Sequence, residues 1–396
     1  MASLLNIEEP PGASATGIAL FALGFRPFYL LASIFAALSI PLWTLQFSGL
    51  LGSPYLAGPV WHAHEMLFGF TLAVIVGFLL TAVRNWTNLP TPTGWKLATL
   101  AALWLSARVL VLTPYAVAAA VVNIAFPLAA AFTLAVPFYK SRNKRNYFFV
   151  ALLGLLAGAA ALIHFSQLGL LSAPTWIGIQ VALDVVLFIL VVMGGRVIPM
   201  FTNNGVPGAM AVKNTFVENF ALGTVLLLLT TDSLGLDGWP VSVVALAACV
   251  AHGWRWVLWQ PWKALRVPLV WVLHLAYLWI PVHLLLRASA QFGWVPPSTA
   301  THALTVGAIG GLIIGMMTRT ARGHTGRPLR ADRFETACYV LVLLAAVVRV
   351  GMPLVAPEET ITAVFGSALL WSVGFGLYAV RYWPVLSRPR LDGRPG

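Results

Sequence analysis

Charged residues are scarce in this sequence. Asp, Glu, Lys and Arg make up 9% of its 396 residues, whereas soluble domains usually carry about 25%. Hydrophobic residues make up 59% of the chain, and the mean hydropathy is +0.86. So few polar side chains cannot cover the surface of a soluble fold, and the composition predicts an integral membrane protein.

Cysteine is equally scarce. Cys249 and Cys338 lie far apart in apolar runs without CxxC spacing, so neither a disulfide framework nor a thiolate metal site is indicated. We interpret both as small buried hydrophobic residues. The sequence has no CxxCH motif for covalent haem, no GxxxxGK[ST] phosphate loop and no HExxH zinc motif.

Twelve segments are long and apolar enough to cross a hydrocarbon core about 30 Å thick, which takes roughly 20 helical residues. They cover residues 27–47, 58–83, 97–113, 116–138, 147–166, 175–198, 216–231, 240–259, 269–288, 300–320, 334–353 and 361–383. We therefore predict an all-α polytopic membrane protein with one transmembrane domain over residues 1–396. Residues 1–25 are expected to be cytoplasmic or interfacial, and the tail 384–396 cytoplasmic.

The connections between these segments alternate in charge. Every second connection contains Lys or Arg, and the connections between those contain neither. The net charge of +12 is therefore explained by orientation in the membrane, and nucleic acid is not an expected partner. The pattern predicts both termini in the cytoplasm. Glu8 and Glu9 stand where a signal peptide has basic residues, so the first span is expected to remain in the mature protein.

A few ionisable side chains fall inside the predicted spans, where an unpaired charge costs several kcal/mol. Those in the outer parts of the spans are His62, His64, Glu65, Arg108, His283, Arg287, His302 and Arg349. Asp184 is predicted near mid-membrane and His274 towards the cytoplasm. Each is expected to have a partner.

The richest polar stretch is WHAHEMLFGF, residues 61–70. On an α-helix His62 and His64 project roughly 160° apart, which favours two separate partners over one shared metal. The helical spacing places His62, Glu65 and Met66 on one face. Imidazole, carboxylate and thioether groups together suit copper or haem iron, and His64 would serve a second site.

Arg108, Arg287 and Arg349 lie towards the outer side, where basic residues are otherwise missing. A haem with two propionates would balance this surplus of positive charge. The alternative is that each arginine reaches the outer headgroups or caps the C-terminus of a helix.

Several segments resemble the signature segments of the NnrS family. They are FRPFYLLA (25–32), WHAHEMLFGF (61–70), GFLLTAV followed by NWT (77–87), RVIPMFTNNG (196–205), PLVWVLHLAYLWIP (268–281), THALTVGAIGG (301–311) and MMTRTARGHTGRPL (316–329). One departure is Arg84, where the family usually has proline, and we expect this change to affect the helix end more than any metal site.

The resemblance implies a multi-pass protein of the bacterial inner membrane that contains haem and copper and is linked to denitrification and to resistance to nitric oxide. The absence of CxxCH makes that haem b-type. The positions implied by matched motifs are His62, His64, Glu65, His274, His302, and His324 with Arg319. The resemblance leaves the reaction open.

Three functions follow as hypotheses. The first is a haem and copper protein that binds or turns over nitric oxide, with Glu65 as the candidate catalytic group and an unknown electron donor. The second is a twelve-helix transporter with Asp184 as coupling carboxylate, although the two six-helix halves show no convincing relation. The third is a haem-based sensor or a metal-delivery factor.

Overall fold

The computed structural model describes residues 17–47 and 54–393, and within them twelve long helices account for the predicted spans. We number them α1 Phe25–Phe47, α2 Gly58–Thr87, α3 Gly94–Leu110, α4 Ala116–Lys140, α5 Phe148–Gln167, α6 Thr175–Gly205, α7 Thr215–Ser233, α8 Trp239–Leu258, α9 Pro268–Ala290, α10 Pro297–His324, α11 Arg333–Val355 and α12 Thr360–Ser387. The predicted all-α fold is confirmed. The expectations for residues 1–16 and 394–396 lie outside the described residues.

Ten of these helices are long and apolar enough to cross a membrane. The other two are α3, which has only 17 residues, and α7, whose Glu218 and Asp232 lower its hydropathy. Seventeen residues is still within the range of spanning helices. Both helices pack among the others, α3 against α4 and α7 against α8, so we count them as spans.

The chain divides into two compact units. The first contains the described residues up to Leu183 together with Thr320–Pro328 and the described residues from Gly376 onward, and the second contains Asp184–Arg319 and Leu329–Phe375. The divisions at residues 183, 319 and 375 fall inside helices α6, α10 and α12 and not in linkers.

In the first unit, α1 packs closely against α2, and α4 packs against α2, α3 and α5. Glycine makes the approach of α1 to α2 possible. A Cβ atom on Gly77 would lie 2.8 Å from the Cβ of Phe28, and one on Gly69 would lie 2.5 Å from a ring carbon of Phe35. The Phe25 amide also donates to Thr81 Oγ1 at 3.0 Å, which ties the start of α1 to α2.

In the second unit, α8 packs against α7 and α9, and α10 packs against α9 and α11. The glycine stripe of α10 faces α9. Added Cβ atoms would lie 2.4 Å from Trp279 at Gly307 and 2.8 Å from Val272 at Gly315. These glycines therefore serve close helix contact, as small residues do in membrane helices.

Helices α2 and α10 are related in sequence. Each contains a π-helical stretch, Glu65–Thr71 in α2 and Ala303–Gly310 in α10. Eight identities fall at one constant spacing along the chain: Pro59 and Pro297, His64 and His302, Gly69 and Gly307, Ile75 and Ile313, Gly77 and Gly315, Arg84 and Arg322, Thr87 and Thr325, and Pro90 and Pro328. A repeat of two six-helix halves would relate the second helix to the eighth. This relation joins the second helix to the tenth, so it is a different repeat.

The two related helices also pack in the same register against the helix before them. Gly69 meets Phe35 and Gly77 meets Phe28, seven residues apart on α1. The equivalent glycines of α10 meet Trp279 and Val272, which are also seven residues apart on α9. The sequence relation therefore corresponds to a repeated helical hairpin. Since π-helical turns are frequent at functional sites, the hairpin draws attention to His64 and His302, which immediately precede them.

Candidate metal-binding site

The first unit buries an ion pair beside His64. His64 and Glu65 both have 0% of their surface exposed, and His64 Nδ1 lies 2.8 Å from Glu65 Oε1. Arg108 of α3 donates from Nη1 to the same carboxylate oxygen. A carboxylate oxygen only accepts hydrogen bonds, so the ring proton of His64 is on Nδ1. This arrangement leaves Nε2 with a lone pair.

Arg108 is held from a second side by α4. Its Nη2 donates to Asn123 Oδ1, and Asn123 Nδ2 donates to the carbonyl of Ala119 at 2.8 Å. The guanidinium also lies 5.9 Å from the ring centre of Trp104. Glu65 and Arg108 therefore neutralise each other in a buried, hydrogen-bonded setting, as a buried charge requires.

A second histidine completes the cluster. The His164 ring, from α5, meets the His64 ring edge to face, with 5.0 Å between the centroids. Tyr55 OH lies 3.2 Å from His164 Nδ1 and donates to the His164 carbonyl, also at 3.2 Å. When the phenol O–H donates to the carbonyl, Nδ1–H of His164 donates to the phenol oxygen, and in this tautomer the Nε2 atom of His164 keeps its lone pair.

Both Nε2 atoms are buried and make no hydrogen bond with any described residue. A neutral imidazole with one nitrogen bonded to an oxygen and the other bare is the arrangement found in histidine metal ligands, where the bonded oxygen fixes the ring. The described part of the chain contains no group of three or more His, Cys, Asp or Glu arranged for a metal ion. The pair therefore offers two protein ligands.

Tyr55 lies between α1 and α2, outside the helices. Partial burial raises its pKa to about 12, because desolvation disfavours the phenolate. The hydroxyl consequently stays protonated at neutral pH and keeps both of its contacts to His164.

The structure brings together only some of the residues that the sequence suggested. His64, Glu65 and Arg108 meet, whereas the ring of His62 packs against Trp43 of α1, with 5.0 Å between ring centroids and a tilt of 36°. Glu65 was expected on the face of His62 and is instead bonded to His64. The reason is the π-helical stretch that starts at Glu65, since ideal α-helical angles do not apply there. Met66, expected to share that face, is half-buried.

The other suspected histidines are placed elsewhere. His274 is buried in the second unit, with Nε2 2.8 Å from Thr202 Oγ1 and Nδ1 without a partner among the described residues. His302 Nδ1 lies 2.6 Å from the Ser298 carbonyl on the preceding turn. His324, in the first unit, packs its ring 5.7 Å from that of Phe25.

The remaining arginines differ from one another. Arg287 forms ion pairs with Asp184 and Asp232 in the second unit. Arg319 lies over the ring of Phe201 at 3.7 Å. Arg349 is half-buried on α11 and forms no salt bridge with a described residue. Of the three arginines suggested for haem propionates, Arg108 and Arg287 thus already have carboxylate partners.

His164, Tyr55 and Asn123 were not foreseen as site residues. His164 lies near the end of its span and resembles an interfacial histidine, and Tyr55 is in a connection. Nothing local in the sequence links either one to His64. Asn123 could have been singled out from the sequence, because an amide inside an otherwise apolar helix needs a hydrogen-bond partner.

The fold is that of a polytopic α-helical membrane protein, and it buries two histidines in contact whose Nε2 atoms make no hydrogen bond with a described residue. The chain belongs to the NnrS family, since a family model described as NnrS protein matches residues 19–390 and thus all twelve helices. No curated protein matches the chain.

Proposed function

We propose that this protein is a copper- and haem-containing protein of the bacterial inner membrane that binds nitric oxide or a related nitrogen oxide and contributes to resistance to nitrosative stress. The observation that supports the proposal is the pair of buried, unpartnered Nε2 atoms on His64 and His164. Family membership supports the link to nitric oxide.

Copper fits this pair. Imidazole nitrogen suits Cu, Zn, Fe and Ni, and among divalent first-row metals a given nitrogen site generally binds Cu²⁺ most tightly. His64 and His164 would hold the metal, while Glu65 and Tyr55 keep the two rings in the required tautomer. A bound copper or haem iron would supply the position at which nitric oxide binds.

The protein around the pair is suited to a small neutral ligand. His64 and Glu65 are fully buried, so ions and bulky substrates are excluded, whereas nitric oxide is uncharged and soluble in lipid. If the protein turns its ligand over, a proton donor is needed. Glu65 Oε2 is buried and makes no hydrogen bond with a described residue, which leaves it able to take up a proton beside His64.

The haem is assigned to a separate site. The second unit offers His274 or His302 as its ligand, and the first unit offers His324 as the alternative. Arg349, in the second unit, is the outer arginine without a salt bridge to a described residue. Arg349→Gln should lower haem content at constant protein yield, whereas Arg142→Gln, in the connection after α4, should not. Equal haem in both variants would argue against a role for Arg349.

The metal assignment is tested on protein purified from membranes. Iron and copper are measured together with the optical spectrum for wild type, His64→Ala and His164→Ala, with His62→Ala as the matched control on the same helix. We expect copper to be lost in the first two variants and kept in the control. Full copper content in correctly folded His64→Ala and His164→Ala would refute the site, and metal-free protein that still protects cells from nitric oxide would refute the function.

A further inference from the structure

The second unit contains a buried cluster in which one arginine serves two carboxylates. Arg287, near the end of α9, donates from Nη1 to Asp184 Oδ1 of α6 at 3.0 Å and from Nη2 to Asp232 Oδ2 of α7. The side chain of Asp184 is 1% exposed and that of Asp232 is 8% exposed. The two aspartates also lie within hydrogen-bonding reach of each other.

The charges of this cluster do not balance when both carboxylates are ionised. Arg287 forms an ion pair with each of Asp184 and Asp232, so within this cluster two negative groups share one positive group. Burial of an uncompensated charge is expensive, and two carboxylates in one site cannot both remain ionised at low cost. A single proton removes the excess charge.

A neutral histidine adjoins the cluster. His283 precedes Arg287 by one helical turn and interacts electrostatically with Arg287 and Asp232. Its Nδ1 lies 2.7 Å from the Ala300 carbonyl, which only accepts hydrogen bonds, so the ring proton is on Nδ1. Its Nε2 is buried and makes no hydrogen bond with a described residue. His283 thus has a bare nitrogen in the electrostatic neighbourhood of Asp232 and Arg287.

We propose that Asp184 and Asp232 form a proton-binding site that holds one exchangeable proton across Arg287, with His283 Nε2 as the adjoining acceptor. The site lies in the second unit and does not depend on the metal at His64 and His164. Asp232 is one residue from the end of α7 and is the more exposed of the pair, whereas Asp184 is in the interior of α6. The proton therefore exchanges with solvent at Asp232 and is held on the side of Asp184.

Infrared spectroscopy of the purified protein in lipid at about pH 7 tests this site through the carbonyl stretch of a protonated carboxyl group. We expect a wild-type band that shifts in D₂O and is lost in both Asp184→Asn and Asp232→Asn, because a single remaining carboxylate is balanced by Arg287. Arg287→Gln should roughly double the band, since both carboxyls then need protons. Glu358→Gln, at an exposed acidic residue, is the control and should leave the band unchanged.

Three results would overturn the proposal. One is a wild-type protein without an exchangeable carboxylic acid band at any pH from about 5 to 8. Another is a wild-type band that neither single aspartate substitution reduces, in variants whose circular dichroism matches wild type. A band that responds to Na⁺ concentration at fixed pH would assign the pair to a metal cation and equally contradict a proton site. Since the variants leave His64 and His164 intact, copper content should be unchanged, and this separates the proposal from the metal assignment.

Discussion

His64 and His164 meet edge to face, with an interplanar angle of 78° and 5.0 Å between ring centroids. Their helices, α2 and α5, place them in contact although a hundred residues separate them in the chain. Each ring has its Nδ1 bonded to an oxygen, from Glu65 in one case and Tyr55 in the other. One nitrogen bonded to an oxygen and the other bare is also the state of His252, His274 and His283. The feature particular to His64 and His164 is therefore that the two rings are in contact.

Glu65→Gln should weaken copper binding about 10- to 100-fold, because the ring of His64 loses the carboxylate that orients it. The substitution should also lower the free energy of unfolding by about 3–5 kcal/mol, since it leaves Arg108 as an unbalanced buried charge. Copper titration of the metal-free protein and thermal unfolding in detergent measure the two effects.

A double variant separates these two effects. Glu65→Gln with Arg108→Met removes both charges and should recover most of the stability without recovering copper affinity. If the double variant binds copper as wild type does, the carboxylate has no role in orienting His64. Glu358→Gln is the control, because this exposed glutamate has no part in the site.

Tyr55→Phe should change the dependence of stability on alkaline pH. The phenol titrates near pH 10 in an unfolded chain and near 12 in the protein. Its folded pKa is raised, so wild type should lose stability as the pH rises from about 10 to about 12. The variant should lose less. The difference is small because Tyr55 is partly exposed and solvent screens the effect.

Thermal midpoints of wild type and Tyr55→Phe between pH 8 and 12 measure this difference. Tyr115→Phe, at an exposed tyrosine in the connection before α4, is the matched control and should follow wild type. At neutral pH Tyr55→Phe should also bind copper more weakly, since His164 loses its hydrogen-bond acceptor. Unchanged copper affinity would remove Tyr55 from the site.

The alternation of basic residues predicts which connections face the cytoplasm. A reporter enzyme that is active only outside the cytoplasm should be active when fused within residues 111–115, after α3, and inactive when fused within residues 141–146, after α4. Activity in the second fusion and not in the first would invert the proposed orientation and place His64 and His164 near the cytoplasmic face.

The twelve spans could be read from the sequence because the membrane imposes its thickness on every helix, and hydropathy reports that length directly. Charged residues inside the spans, such as Glu65 and Arg108, could be recognised for the same reason, because the membrane makes them costly to bury. Their partners could not be recognised from the sequence. Helix packing decides which residues a spanning side chain contacts. No local sequence pattern connects Tyr55 or His164 to α2.

The face of α2 illustrates a second limit. Ideal helical spacing grouped Glu65 with His62, whereas the π-helical stretch beginning at Glu65 brings its carboxylate to His64. A π-helical turn is not encoded by a simple residue pattern. The π-helical stretch of α10 likewise follows a histidine, His302.

Gly69→Ala and its counterpart Gly307→Ala should both destabilise the protein. The new methyl group would lie 2.5 Å from the ring of Phe35 in the first case and 2.4 Å from that of Trp279 in the second. Overpacking of this kind typically costs about 1–3 kcal/mol. Gly154→Ala on α5 is the control. Nothing lies within 4 Å of its added Cβ, so the better helix propensity of alanine should make this change neutral or stabilising.

The two destabilised variants should differ in copper binding. The methyl group of Gly69→Ala would also lie 3.0 Å from Arg108 Nη1, the atom that donates to Glu65, so this variant should lose copper affinity as well as stability. Gly307→Ala touches no residue of the His64 site and should lose stability alone. Equal copper loss in the two variants at matched stability would show that affinity follows general packing, and would contradict a site built on Glu65 and Arg108.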